Sequence, residues 1–326
     1  MPTSSPPRPK NPKISNFLRI IPEYRGDSSN SHCVRQRKSY LLVLLSGLIG
    51  IILISGCGPY QEEPPSSRDE AERKFIQICK DEYNWNVSTK YIGNTLWIYI
   101  PFEDDIFQFK TNRFPQTSKF SVGFIDGEFN KEAFQFEYQI APLLKTEESK
   151  GYTYSLTDKV SEDFHYLLNT IYMVYFNTES EQQPEFYVVV LADITNGVEA
   201  KYTIYGIDLK KAYNNAIPGE EYYKRILQDI KGDLAIIHDK TGRHLTYEEI
   251  TFGQFLAEQI VQRVRFKFLS EEFELEGTIE DEILKIISYC LGTYEFRDYL
   301  MVILQDLTSE AKIIKYRLSL EEITEL

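Results

Sequence analysis

The residues best spaced to do chemistry together are His238-Asp239-Lys240-Thr241-Gly242-Arg243-His244. Two imidazoles and a carboxylate within seven positions supply a general base and a group to orient it, as an unusual hydrolase site would need. They also supply three metal ligands if the loop folds back on itself. The competing reading is an exposed turn built on Asp239 and Gly242. With His32 in the N-terminal region, a histidine-dependent site must draw on His165, His238 and His244.

Other candidates are weaker. Glu103-Asp104-Asp105 and Asp126-Gly127-Glu128 offer oxygen ligands for Ca²⁺, but too few at fixed spacing, and both read as solvated turns. Asp193 and Asp306 each precede a hairpin turn, where an Asp side chain caps the turn backbone. Cys79 and Cys290 belong to no C-x-x-C pair, so they read as small buried hydrophobes on helices or, in an oxidising compartment, as disulfide partners. The chain has no G-x-S-x-G elbow, H-E-x-x-H pair, P-loop or EF-hand spacing. No catalytic residue, metal or cofactor is therefore assigned, and His238, Asp239 and His244 stand as the candidate polar cluster.

The elements that must position these residues can be read from periodicity. Helical spacing covers Arg68 to Asn84, Val160 to Phe176, Gly219 to Lys231, Ile250 to Val264 and Ile279 to Leu291. Strand-like runs cover Val87 to Ile92 and Thr95 to Ile100, joined by Gly93-Asn94, then Ser121 to Asp126, Ala133 to Ile140 and Asp233 to His238. A loop around Lys145 to Gly151 is the expected boundary between an N-terminal α+β domain, 68–150, and a C-terminal α+β domain, 151–326.

An internal similarity links Phe186 to Leu209 with Tyr299 to Leu320. Val189, Leu191, Asp193 and Thr195 align with Val302, Leu304, Asp306 and Thr308, and Glu199-Ala200-Lys201 then meets Glu310-Ala311-Lys312. Each segment reads as strand, turn, strand after a helix, which gives two αββ units; Arg68 to Pro101 has the same order. The expected class is α+β, with largely antiparallel sheets covered by helices. The 45 aromatic residues suit layered cores of that kind.

The N-terminal region has its own logic. Arg35, Arg37 and Lys38 precede an apolar run from Tyr40 to Ile54, which fits a secretory h-region better than a membrane span of about 20 residues. The run ends in Ile54-Ser55-Gly56-Cys57, which resembles the lipobox of bacterial lipoproteins. The resemblance implies lipid attachment at the Cys57 sulfur, cleavage before Cys57 and acylation of the new N-terminus. Gly58, in place of Asp, leans by the same resemblance toward the periplasmic side of the outer membrane in a diderm cell. Residues 1–56 thus read as a disordered pre-sequence plus signal peptide, with translation starting nearer Val34, and 57–67 as a polar tether.

Removing residues 1–56 leaves 28 basic and 47 acidic residues, a formal charge of −19. That excess argues against a nucleic-acid partner, which needs clustered cations. The sequence is read as a lipid-anchored envelope protein, held on the bilayer through acylated Cys57, with a binding or scaffold role and an envelope protein as partner. The alternatives are a membrane-tethered hydrolase using the His238 to His244 loop and a solute-binding component, although the long βα alternation of the latter is missing.

Overall fold

A computed structural model describes residues 67–111, 119–130, 133–143, 152–176, 183–308, 315–319 and 322. The lipobox, the tether before Ser67, the expected boundary loop from Lys145 and the Glu310-Ala311-Lys312 part of the internal similarity lie outside them. In chain order the helices are α1 (Arg68–Tyr83), α2 (Asp158–Tyr175), α3 (Gly206–Tyr213), α4 (Gly219–Arg225), α5 (Phe252–Leu269) and α6 (Ile279–Thr293). The strands are β1 (Ser88–Ile92), β2 (Thr95–Phe102), β3 (Phe107–Thr111), β4 (Phe120–Asn130), β5 (Ala133–Pro142), β6 (Tyr152–Leu156), β7 (Phe186–Asp193), β8 (Val198–Tyr205), β9 (Leu227–Gly232), β10 (Met301–Asp306) and β11 (Lys315–Ser319). The class is α+β.

Five strands form one sheet in the order β1-β2-β7-β8-β9, and four form a second in the order β11-β10-β5-β4. Each is antiparallel except for one central parallel pair, β2 with β7 and β5 with β10. β3 and β6 make a separate antiparallel pair. Both parallel pairs join strands from opposite sides of the expected boundary at 150/151. The cores are therefore interleaved along the chain instead of being built one from each half.

Local chemistry explains the element ends. Ser67 caps α1 by accepting from the Glu70 amide, and the helix stops where Asn84 turns left-handed (φ 56°), its N–H on the Lys80 carbonyl. Thr251 with Gln254 and Thr278 with Asp281 form reciprocal capping boxes that start α5 and α6. Gly93, at φ +55°, gives the β1–β2 turn a conformation that a side chain resists; a Cβ there would also meet the Glu249 carboxylate.

Three expected elements differ. The helix read over Gly219 to Lys231 ends at Arg225, and the chain continues as β9, pairing with β8 from Leu227 to Gly232. Helical periodicity gave way there to an open sheet edge, helped by α5: the Gln259 amide donates to the Arg225 carbonyl, and Gln262 bonds both the Ile226 carbonyl and the Gln228 amide at 2.9 Å. The strand read over Asp233 to His238 is a 3-10 turn, Leu234–Ile236, started by Asp233 accepting from the Ala235 amide at 3.0 Å. Residues after Tyr205, read as strand to Leu209, begin α3.

Helices α1 and α2 pack on one face of the five-stranded sheet around Phe75, Leu167, Ile171, Val189 and Leu191. Helices α5 and α6 cover one face of the four-stranded sheet around Phe134, Phe136, Ile260, Ile287 and Val302. A string of rings joins the two layers, running from Tyr205 through Phe252 and Phe296 to Phe129 at centroid separations of 5.2, 5.7 and 4.8 Å. No helix among the described residues is long and apolar enough to cross a membrane.

Cys79 and Cys290 are buried free thiols on α1 and α6, in different cores, and burial pushes each thiol up to about 12. A thiol so shifted has almost no thiolate at neutral pH. Peptides containing Cys79 and Cys290 are therefore expected to stay unalkylated when the native protein meets iodoacetamide at pH 8, and to be alkylated in denaturant. A Cys79–Cys290 linked peptide would contradict this packing.

Candidate functional site

The segment from Asp233 to Ile250 carries the candidate cluster and lies across the second face of the five-stranded sheet. It runs along β2 in the reverse direction: the Tyr99 hydroxyl donates to the Asp239 carbonyl (2.6 Å), the Trp97 indole to the Glu248 carbonyl (2.9 Å), and the Ile250 amide to Thr95 Oγ1 (2.9 Å). Beneath it, Trp97, Tyr99, Val188, Val190 and Ala192 form a third apolar cluster with Ile236. This strap has almost no regular structure of its own, so side chains of the sheet bind its backbone polar groups.

Asp239 organises the bend. Its Oδ1 accepts from the Thr241 and Gly242 amides at 2.9 and 3.0 Å, and its Oδ2 from the His244 amide at 3.0 Å. Gly242 supplies the left-handed residue (φ +73°) that returns the chain, and a Cβ there would touch the Tyr247 hydroxyl. Asp239 and Gly242 do build a turn, but it is not the exposed one expected: Gly242 is buried and little of the Asp239 side chain meets solvent. The bend is wound inward, and it seats His244 with a side chain only 3% exposed.

His244 stands between two carboxylates. Its Nδ1 is 2.7 Å from Asp239 Oδ2 and its Nε2 is 2.7 Å from Glu199 Oε2, the latter reaching across from β8. Because a carboxylate only accepts, both contacts are hydrogen bonds when both ring nitrogens carry protons. Burial works against the imidazolium, but the bonds to Glu199 and Asp239 outweigh it and hold the His244 pKa above the ordinary 6.5. For Asp239, burial acts upward, yet the bonds from the His244 ring and from the Thr241 and His244 amides hold its carboxyl well below the usual carboxylate range.

His238 is not part of this group. It is exposed, adopts φ 62°, and contributes its backbone amide to the Ile194 carbonyl at 2.9 Å. His165 is exposed on α2. The paired-imidazole arrangement expected from the loop is therefore replaced by one buried imidazole with two acids. Both nitrogens of that ring are occupied, which leaves no lone pair for a metal or a substrate proton, and among the described residues no group of three or more His, Cys, Asp or Glu side chains is placed to hold a metal ion.

Apart from the exposed Glu128, the remaining acidic candidates are internally bonded. Asp193 Oδ1 accepts from the Thr195 and Asn196 amides (3.1 and 2.8 Å), and Asp306 Oδ1 from the Thr308 amide (2.8 Å), as turn caps. Glu103 pairs with Lys240 at 2.8 Å, Asp104 with Lys159 at 3.5 Å, and Asp105 accepts from Asn196 at 2.8 Å. Asp126 accepts from the adjacent Gly127 amide.

No protein-family model, curated protein or solved structure matches the chain significantly.

A second buried polar network escaped the sequence reading. Arg225 on α4 donates to Asp208 on α3 (3.0 Å) and to Glu221 (2.9 Å), and Arg263 on α5 shares the same Glu221 oxygen at 2.9 Å. The hydroxyls of Tyr294 and Tyr289 close it at 2.6 Å on Asp208 and 3.1 Å on Glu221. Arg225 and Asp208 side chains are 11% and 2% exposed. The Glu221–Arg225 spacing of four was legible on a helix; its partners on α3, α5 and α6 were not. With every charge matched, this network clamps the two layers and offers no free group.

Replacing His244 by Ala leaves Glu199 and Asp239 buried without their shared cation, a loss of about 3–5 kcal/mol for breaking one side of a buried pair. The sign with pH follows from the two shifts. The His244 contribution is fully present below pH 6.5 and is lost as pH rises through its raised folded value. The Asp239 contribution is present above 3.8 and is lost as pH falls through its lowered folded value. Urea unfolding across pH should therefore show a plateau for the wild type that falls on the alkaline side, and a lower curve without that alkaline fall for His244→Ala.

Proposed function

We propose that the chain is a bacterial envelope lipoprotein whose body serves as a binding or scaffold module, lipid-anchored at Cys57. The carrying observation is the order of Arg35-Gln36-Arg37-Lys38, the apolar Tyr40 to Ile54 and Ile54-Ser55-Gly56-Cys57. A thiol after two small residues at the end of an h-region has the arrangement that lipid transfer and cleavage need. Several acyl chains, at about 0.8 kcal/mol per buried CH₂, then hold the protein on a bilayer.

The binding role is preferred to the hydrolase because His244, the imidazole that the loop buries, has both nitrogens committed to carboxylates. Its partner class is an envelope protein, and the outer membrane is the favoured site in a diderm cell. We also infer that the α2-β7-β8 and α6-β10-β11 segments are two copies of one αββ plan. Supporting this, Thr195 and Thr308 follow equivalent turn-capping Asp residues. Their hydroxyls donate to carbonyls of the neighbouring parallel-strand segments, Glu103 at 2.8 Å and Ile140 at 3.3 Å.

Metabolic labelling with a radioactive fatty acid tests the anchor. The wild type should carry label and have an intact mass fitting a chain that starts at an acylated Cys57. Cys57→Ser should carry none and should accumulate uncleaved. A Cys57→Ser protein that remained processed and membrane-bound would overturn the proposal.

A further inference from the structure

The strap from Asp233 to Ile250 separates an apolar sheet face from solvent, and among the described residues its one buried ionic fastening to the sheet is the Glu199–His244–Asp239 group. We propose that this group is a proton-operated latch: with a proton on each His244 nitrogen the strap is held on the sheet, and loss of one proton releases the middle of the strap from Trp97, Tyr99, Val188 and Val190.

Two carboxylate oxygens approach the ring at 2.7 Å from opposite sides, one from the strap and one from β8. An imidazolium has a donor for each. A neutral imidazole has one, so a ring lone pair then faces an anionic oxygen at hydrogen-bond distance, in a site where the side chains are 3%, 6% and 10% exposed. Separation relieves that contact only if the strap lifts from β8, because Asp239 and His244 travel together in one bend whereas Glu199 is fixed in the sheet.

The other charged groups near the ring do not supply a substitute cation. From the strap, Asp233 is held by Lys231 of β9 at 3.1 Å, and Lys240 is held by Glu103. Lys231 stands opposite Glu199 in the β8–β9 register, and the Lys201–Asp229 pair follows one step along the same face at 3.7 Å. From β2, Tyr99 meets the ring edge-on at 5.8 Å with its hydroxyl given to the Asp239 carbonyl, and from the strap Tyr247 gives its hydroxyl to the Gly242 carbonyl. Arg243 is exposed. The ends of the strap are fixed independently of His244, by the His238 amide on Ile194 and the Ile250 amide on Thr95, so release is confined to the middle.

Hydrogen exchange on the full-length chain at a series of pH values reads the latch directly. Above pH 6.5, each pH unit up to the folded His244 value should raise strap opening, read at the Trp97 indole N–H that donates to the strap's Glu248 carbonyl, about tenfold beyond the intrinsic rate, the linkage of one proton. Amides of β7 should show no such rise. In Glu199→Gln, the amide can donate to a neutral Nε2 while Nδ1–H serves Asp239, so the tenfold dependence should disappear in a protein with wild-type circular dichroism. Nitrogen chemical shifts of the wild-type ring should show both nitrogens protonated at pH 7, which tests the latch even if the variant misfolds. A neutral ring at pH 7, strap exchange that follows the intrinsic rate alone, β7 exchange rising in step, or an unchanged slope in a folded Glu199→Gln protein would each overturn the proposal.

Discussion

Strand β7 has to be buried on both faces, and much of the architecture follows from that constraint. Every residue from Phe186 to Asp193 is buried, and the run Phe-Tyr-Val-Val-Val-Leu-Ala-Asp has no polar face to give to water. Tyr187, Val189 and Leu191 are covered by the helical layer of α1 and α2, while Val188, Val190 and Ala192 need a second cover. At roughly 1.5–3 kcal/mol for each large apolar side chain withdrawn from water, leaving that face open is a heavy loss. The chain covers it with an irregular strap instead of a helix.

An irregular cover carries backbone groups that nothing in the strap itself satisfies. Tyr99, Trp97 and Thr95 therefore do more than pack: each places a hydroxyl or indole where the strap backbone needs a partner. The same requirement explains why Asp239 accepts three amides and why a buried imidazole faces it. Polar side chains in this region are structural before they are chemical, and the ionic group at His244 completes the attachment of strap to sheet.

The second layer is tied on by different means. A string of aromatic rings supplies non-directional contact around α5, and the Asp208–Arg225–Glu221–Arg263 network fixes orientation, since guanidinium forks accept only a narrow geometry. Arg225 belongs to the short helix that stops to let β9 form, so the clamp and the sheet edge depend on the same break. A helix continuing through Lys231 would leave the outer edge of β8 unpaired and carry the residues after Arg225 away from Gln259 and Gln262.

Periodicity and turn chemistry alone determined the α+β class, the four longer helices in outline and the Gly93-Asn94 hairpin, because these rest on interactions within a few residues. Composition and the order of the first 57 residues likewise carried the export and lipid-anchor reading, which is written in local sequence and needs no fold. The strap, β9, the interleaving of both sheets and the partners of His244 were decided by tertiary structure. Glu199 gave no local signal, being one acidic residue in a strand 45 positions before the histidine it binds. His238 and His244 looked equivalent in sequence, and one became a surface residue and the other the centre of an ionic group, because the bend at Asp239 and Gly242 turns only His244 toward the sheet. Burial and charge pairing are properties of what the rest of the chain brings alongside, and spacing within a loop does not contain them.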